Sequence, residues 1–396
     1  MEQAVILAGG LGERLRPFTD NLPKPLVQIA NLPFILYVIN DLRSKGLTSF
    51  IILTGYRAEL IREYFEHDNS VMCIETPLEF SKSERLRNAH HALENEFLLL
   101  YSDNFIPEQP GNFELNGYDL KFVLTKKSPG NFDILNQSEN LIYSPERMEE
   151  LNFVELGYIS VNRDSLFQAL SEGISLESAF LDLVRKKRAT AYVIKGPYFS
   201  ISDPKRYQIA ANAIEGKRVI LIDRDGIINK RMPVGEYVTN VGKCEFLEEN
   251  LIGLKELSSK GFSFIVVSNQ AGVARGYMTE NQLTIVNDYI SKELSQLGIN
   301  ILDIFTCIHG WDEDCLCRKP KPGMLYEAAR KYNLYLKKTA YIGDDKRDVE
   351  AAIAADCQPI FIGDKEELGN LKNNVACASN VSTGLQKILR IYEGIL

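Results

Sequence analysis

Two hydrophobic patterns alternate along the chain. Short continuous apolar runs recur at 4–8, 49–54, 71–75, 97–101, 191–194, 219–222, 262–267, 340–342 and 359–362. Such runs predict strands buried on both faces. Between them lie segments with apolar residues every three or four positions, at 34–45, 58–65, 179–187, 203–213 and 280–297, and at Leu251, Leu254 and Leu257. These predict amphipathic helices. Strand and helix in alternation predict α/β architecture with doubly wound, mainly parallel sheets. The rhythm breaks at Glu215-Gly216-Lys217 and then restarts. Two domains are therefore expected, 1–215 and 217–396, both Rossmann-like.

The second domain opens on Val219-Ile220-Leu221-Ile222-Asp223-Arg224-Asp225-Gly226. Side chains two apart on an extended chain share a side, so Asp223 and Asp225 leave the strand end together. Open α/β sheets place ligands at that end. One carboxylate can attack phosphorus, and the other can give a proton to the leaving oxygen and take one from water. Such a pair calls for Mg²⁺. Asp-Gly is also a common turn dipeptide, so the rest of the domain must carry the reading. Ser268-Asn269-Gln270 ends the run at 262–267, where a hydroxyl can bond a phosphoryl oxygen. Arg275 follows as a candidate substrate anchor.

Cys307-x-His309-x5-Cys315-x-Cys317 comes next and leads directly into Arg318-Lys319-Pro320. Three thiolates and an imidazole at this spacing suit a closed, tetrahedral, structural Zn²⁺ site. The site would pin the loop that presents Arg318 and Lys319. Trp311 lies inside this loop, open equally to packing and to substrate contact.

In the first domain the opening strand runs into Gly9-Gly10-Leu11-Gly12-Glu13-Arg14. Glycines let backbone N–H groups approach a phosphate, and Arg14 can add a planar fork. Pro23-Lys24-Pro25 then presents one ammonium on a stiff segment, and the run at 97–101 delivers Ser102-Asp103-Asn104.

Composition narrows the function classes. Of 396 residues 45% are apolar and 25% charged, and the net charge is −8. Nothing here favours nucleic acid or an anionic membrane, so anionic substrates must be held by local cations and metal. No apolar run has transmembrane length, and the start lacks the basic and apolar regions of a signal peptide. Seven cysteines, three of them crowded at 307–317, suggest a metal site in a reducing compartment. A cytoplasmic protein is expected.

The segment Leu7-Ala8-Gly9-Gly10-x-Gly12-x-Arg14-Leu15 with Pro23-Lys24-Pro25 resembles the sugar-1-phosphate nucleotidyltransferases. The resemblance implies that Gly9, Gly10, Gly12, Arg14 and Lys24 hold nucleotide phosphates and that Asp103 binds Mg²⁺. A sugar 1-phosphate oxygen would attack the α-phosphorus of a nucleoside triphosphate and release pyrophosphate. Glu155-Leu156-Gly157-Tyr158 resembles that family's sugar-contacting turn. Two departures stand out. Glu79 to Arg85 carries no glycine where the family has a Gly-Thr-Gly-Gly loop, and Ser200 stands where it has a second metal-binding Asp.

The four strand-end signals of the second domain are Asp-x-Asp-Gly, Ser268, Lys319 and Gly343-Asp344-Asp345-x-x-Asp348. They resemble the haloacid dehalogenase superfamily, and within it the D,D-heptose 1,7-bisphosphate phosphatase group, with histidinol phosphatases as near relatives. The resemblance implies Asp223 as nucleophile and Mg²⁺ ligand. Asp225 would be general acid and base, ligating through its carbonyl, and Asp344 would complete the Mg²⁺ site. Ser268 and Lys319 would stabilise the transferring phosphoryl, while Arg275, Arg318, Asn269 and Gln270 would meet substrate. That group often has Lys directly after the metal-binding Asp, where this chain has Asp345.

Together the halves imply consecutive steps: removal of the 7-phosphate of heptose 1,7-bisphosphate, then nucleotidyl transfer, with GTP the implied donor, toward surface glycans such as lipopolysaccharide. The partners are thus sugar phosphates and nucleoside triphosphates. A non-catalytic binding platform in the first half, or a histidinol-phosphate phosphatase, stands as the alternative.

Overall fold

The computed structural model describes residues 1–107, 113–135, 140–233 and 235–393. The chain divides into two compact units, Met1–Ala211 and Asn212–Leu396. Among the described residues no helix is long and apolar enough to cross a membrane.

In the first unit β1 (Gln3–Ala8), β2 (Ser49–Thr54), β3 (Val71–Glu75) and β4 (Glu96–Tyr101) pair in parallel, in the order β3-β2-β1-β4. Val5 sits opposite Ile51 on one side and Leu99 on the other. The helices α1 (Phe34–Ser44) and α2 (Ala58–Tyr64) follow from their periodicity. On α1, Ile35, Val38, Ile39 and Leu42 are buried, one stripe at spacings of three and four. The sheet does not end at β4. Strands β5 (Leu120–Lys126), β6 (Gly130–Leu135), β7 (Asn140–Met148) and β8 (Phe153–Asn162) extend it, β8 running antiparallel to β4. Strand β9 (Ala189–Val193) adds to β5 in parallel. The continuous-run criterion misses most of this extension because its strands carry polar residues, as in Lys121 and Lys126 of β5.

The second unit has one six-stranded parallel sheet. Its strands are β10 (Val219–Ile222), β11 (Ser263–Asn269), β12 (Ile301–Cys307), β13 (Ala340–Gly343), β14 (Gln358–Ile362) and β15 (Ala376–Ala378), in the order β12-β11-β10-β13-β14-β15. Alternate residues of β10 feed two cores. Ile220 and Ile222 pack with Phe264, Val266, Leu254 and Ile290, whereas Val219 and Leu221 pack with Ile265, Val267, Leu325 and Ala352. Each such side chain contributes about 1.5–3 kcal/mol on burial. The chain goes from β10 outward to β12, then returns to β13 on the other side of β10. The carboxyl ends of β10 and β13 thus flank the topological switch point, where this sheet class keeps its ligands.

Candidate functional site

In the second unit Asp223 follows β10, and its N–H donates to the Ile342 carbonyl on β13 (2.9 Å). Asp344 follows β13, so the ladder that joins the strands also joins the two carboxylates. Gly226, at φ +102°, makes the approach possible, because a Cβ there would lie 1.9 Å from Asp344 Oδ2. Asp223, Asp344 and Asp348 bring carboxylate oxygens within 4.8 Å of one another. Lys319 enters from the far side, fully enclosed. Its Nζ lies 2.9 Å from Asp223 Oδ1 and 2.7 Å from Asp348 Oδ1, and it donates to the Val267 carbonyl (2.9 Å) and Tyr341 hydroxyl (3.0 Å). Asn269 clamps the backbone of Lys319: its Nδ2 donates to the Lys319 carbonyl and its Oδ1 accepts from the Lys319 N–H, both at 3.1 Å.

The electrostatics follow from burial. Burial pushes Asp223 up to about 8, against the pull of Lys319 and helped by Asp348, Asp344 and Asp225. Burial likewise pushes Asp344 up to about 6, partly offset by Arg231. Burial also disfavours the Lys319 charge, but Asp223 and Asp348 outweigh it and raise its pKa. Burial would raise Asp225 too, yet it titrates below its usual range. Arg224 (2.9 Å) and hydrogen bonds from Asn229 (2.8 Å) and Gln270 (2.7 Å) prevail.

The donor set fits a divalent cation. Asp344 Oδ1 is buried, with Arg231 Nη2 2.9 Å away as its ion-pair partner. Asp348 is less available, since its oxygens serve Lys319, Tyr341 and the Asp345 N–H. A divalent ion favours ionised carboxylates, opposing the shifts that burial imposes.

A cavity of about 310 Å³ opens over this cluster. Asp223, Asp225, Ser268, Asn269, Arg318 and Lys319 line it. Arg318 Nη1 is buried there without a partner. Two expected substrate contacts sit elsewhere. Gln270 is buried and spans Asp225 and Ser268 (2.9 Å), placing it behind the acids. Arg275 is not among the lining residues; its guanidinium lies over Trp311 (4.7 Å) and Tyr277 (5.0 Å) and donates to the Tyr237 hydroxyl (3.3 Å). Trp311 and Tyr237 line the cavity in its place.

Cys307 is the last residue of β12, and the loop after it gathers His309, Cys315 and Cys317. The Cys307 sulfur lies 3.6 Å from that of Cys315 and 3.4 Å from that of Cys317, and His309 Nδ1 is 3.2 Å from Cys317 Sγ. Tetrahedral Zn–S bonds of about 2.3 Å put thiolates roughly 3.8 Å apart, so the four side chains fit that ion.

In the first unit a cavity of about 740 Å³ is lined by Gly10, Gly12, Arg14, Lys24, Lys82, Tyr101, Asp103 and Ser202, among others. Gly12 takes φ +67° to start the turn Glu13–Leu15. Lys24 Nζ lies 2.6 Å from Asp103 Oδ2. Gly9 is not among the lining residues, and the guanidinium of Arg85 fills the space where its Cβ would stand. Ser200 is buried, its Oγ accepting from the Ser202 N–H (3.3 Å). Asp203 is occupied by Arg206, whose N–H it accepts (2.9 Å).

Sequence reasoning names two further residues without giving them a role. Asp348 carries the second charge on Lys319, and the spacing Gly-Asp-Asp-x-x-Asp was its signal. Arg85 donates to the Thr54 carbonyl (2.9 Å), the Leu78 carbonyl (3.0 Å), the Gly9 carbonyl (3.4 Å) and Thr76 Oγ1, tying together the ends of β1 to β3. It belongs to α3 (Lys82–Ala89), a helix opened by a Ser81/Glu84 capping box. That box, Ser-x-x-Glu, was its legible sign.

A six-stranded parallel sheet with an acid dyad, a buried Lys and Asp344 at its switch point defines the second unit as a HAD-like hydrolase, and residues 316–374 match the HAD-hydrolase-like family profile. Residues 3–110 match the nucleotidyl transferase profile. The chain is 36% identical over 152 residues to D-glycero-alpha-D-manno-heptose-1,7-bisphosphate 7-phosphatase of Photorhabdus laumondii, covering 37% of this chain and 81% of that protein. It is 32% identical over 178 residues to D-glycero-beta-D-manno-heptose-1,7-bisphosphate 7-phosphatase of Bordetella bronchiseptica, covering 45% and 93%. Through this second unit, the chain belongs to the heptose-1,7-bisphosphate 7-phosphatase family. The crystal structure of HddC from Yersinia pseudotuberculosis, 23% identical, aligns with 54% of this chain and 100% of its own at a TM-score of 0.46.

Proposed function

We propose a bifunctional enzyme of nucleotide-activated heptose synthesis. Its second unit hydrolyses the 7-phosphate of D-glycero-D-manno-heptose 1,7-bisphosphate, and its first unit transfers a nucleotidyl group, GMP by preference, to the resulting heptose 1-phosphate. The observation that carries the first step is the pairing of Asp223 with Lys319 at 2.9 Å on the cavity wall.

Asp223 attacks phosphorus, and the sugar oxygen leaves with a proton from Asp225. Water then attacks the aspartyl phosphate, and Asp225 takes the proton back. Asp225 titrates low in the free protein; the anionic phosphate placed against it raises its proton affinity. Lys319, Ser268 and the unpartnered Nη1 of Arg318 meet the charge on the transferring phosphoryl. Mg²⁺, held by Asp223, Asp344 and the Asp225 carbonyl, would neutralise nucleophile and phosphate. A Zn²⁺ ion held by Cys307, His309, Cys315 and Cys317 would pin the loop that presents Arg318 and Lys319. In the first unit Gly10, Gly12, Arg14 and Lys24, which line its cavity, would hold the triphosphate, and Asp103 would be a ligand for its Mg²⁺.

Purified protein given the bisphosphate and Mg²⁺ should release phosphate, and adding GTP should then release pyrophosphate. Absence of phosphate release contradicts the first step, and absence of pyrophosphate the second. Ser200 and the commitment of Asp203 to Arg206 favour a second reading of the first unit, as a nucleotide-binding platform without turnover. Calorimetric binding of GTP without pyrophosphate release would support that reading.

A further inference from the structure

Asp345 organises the wall of the cavity beside the nucleophile. It precedes α4 (Lys346–Ala354), and its Oδ1 accepts from the Arg347 N–H at 2.9 Å. Its two oxygens then take Arg347 Nε and Nη2, each at 2.9 Å, as a bidentate pair. Arg231 Nη1 lies 3.2 Å from the same Oδ2. One carboxylate, four-fifths buried, thus holds two guanidinium groups whose side chains are about half exposed, 46% for Arg231 and 51% for Arg347. Arg231, Asp345 and Arg347 line the same cavity as Asp223, Ser268 and Lys319. Arg347, Arg318, Lys319 and Trp311 also line the adjoining cavity of about 320 Å³.

The balance of charge identifies what this wall takes. The cation beside the nucleophile, Lys319, is matched by two carboxylates, Asp223 and Asp348. Removing one phosphate needs only that cluster with Ser268 and Arg318. Arg231 also lies 2.9 Å from Asp344 Oδ1; with Asp344 engaged by a divalent cation, the two guanidiniums on Asp345 would form a second cationic centre to one side of that cluster. Guanidinium forks fixed in place suit a dianionic phosphate better than a mobile ammonium does. Arg347 Nη1 donates no hydrogen bond among the described residues, which leaves that edge for a ligand.

We propose that Asp345 is a positioning residue that holds Arg231 and Arg347 for the second, unhydrolysed phosphate of a bisphosphate substrate. This rests on the bisphosphatase reading above and assigns the residues that choose bisphosphate over monophosphate. Steady-state kinetics of the full chain with heptose 1,7-bisphosphate and with heptose 7-phosphate test it. Wild type should favour the bisphosphate by at least about tenfold in kcat/KM, the worth of one charge-assisted hydrogen bond, with the difference in KM. Arg347→Met should reduce that preference about tenfold, and Asp345→Asn should do the same while keeping a helix-capping oxygen. Asp345→Glu should recover part of it. An unchanged ratio in both Arg347→Met and Asp345→Asn overturns the inference, as does a wild type that cleaves both sugars equally well; in either case the phosphatase reading stands. A wild type that cleaves neither sugar overturns that reading and this inference together.

Discussion

The ammonium of Lys319 stands 2.9 Å from Oδ1 of Asp223, in a site where both side chains are almost wholly buried. Strand β10 ends in the acid, and the loop after the Cys/His cluster brings the base. The pair costs desolvation and is held by the surrounding hydrogen bonds, so its presence is better explained by chemistry than by stability.

Lys319→Met should therefore act twice. It leaves Asp223 and Asp348 uncompensated, lowering stability by about 3–5 kcal/mol, and it slows phosphate release by about 10²–10³. Adding Asp348→Asn should restore much of the stability but not the rate. Denaturation and phosphate release measured on both variants separate the two effects.

The Cys307, His309, Cys315, Cys317 cluster should hold one zinc ion per chain, read by elemental analysis. Chelation, or Cys315→Ser, should lower the melting temperature of the second unit and its phosphatase rate, because metal binding is coupled to folding. Protein free of zinc with an unchanged melting temperature would count against the site.

Arg85 is a buried cation held by carbonyls, and burial lowers its pKa. Arg85→Met should leave the Leu78 carbonyl without its protein donor and cost roughly 1–3 kcal/mol, while the Thr54 carbonyl keeps the Thr76 N–H (3.1 Å) and hydroxyl (2.8 Å). Urea denaturation checks this, and the phosphatase rate should not change.

Glu155, beside the cavity of the first unit, is pushed by burial from 4.5 to about 7, although the Gly157 N–H (2.5 Å) favours its ionised form. The folded state thus binds the proton more tightly than the unfolded one. Its contribution to stability is complete below pH 4.5 and is lost as pH rises through about 7. Glu155→Gln should remove that slope and be the more stable form at pH 8. The gain is bounded by about 3 kcal/mol, at about 1.36 per pKa unit. Melting temperatures of both proteins between pH 5 and 8 test the sign.

The second unit was the more legible in sequence, and the reason is physical. Val219 to Ile222 is apolar throughout because β10 is covered on both faces, and the carboxylates begin where that cover ends. The cluster of Cys307, His309, Cys315 and Cys317 was legible because thiols and imidazole at that spacing have few other uses. Strand β12, which ends in Cys307, was not anticipated, since Asp303 and Thr306 interrupt its apolar run. In the first unit β8 escaped notice for a related reason. Its register against β5 shifts between Glu155 and Ile159, around Gly157 at φ +73°, which breaks the alternation. The family resemblance implies Gln270 and Arg275 as substrate contacts. Position could not reveal that Asp225 and Ser268 would claim one of them, and Trp311, Tyr277 and Tyr237 the other.

The claim on which the account depends is a phosphoryl group carried covalently by Asp223. Rapid acid quench during turnover of heptose 1,7-bisphosphate, borohydride reduction and peptide mass spectrometry would locate it, since an aspartyl phosphate reduces to homoserine. Homoserine is expected at position 223, with no turnover in Asp223→Asn. A label at any other residue, or undiminished phosphate release from that variant, would contradict it.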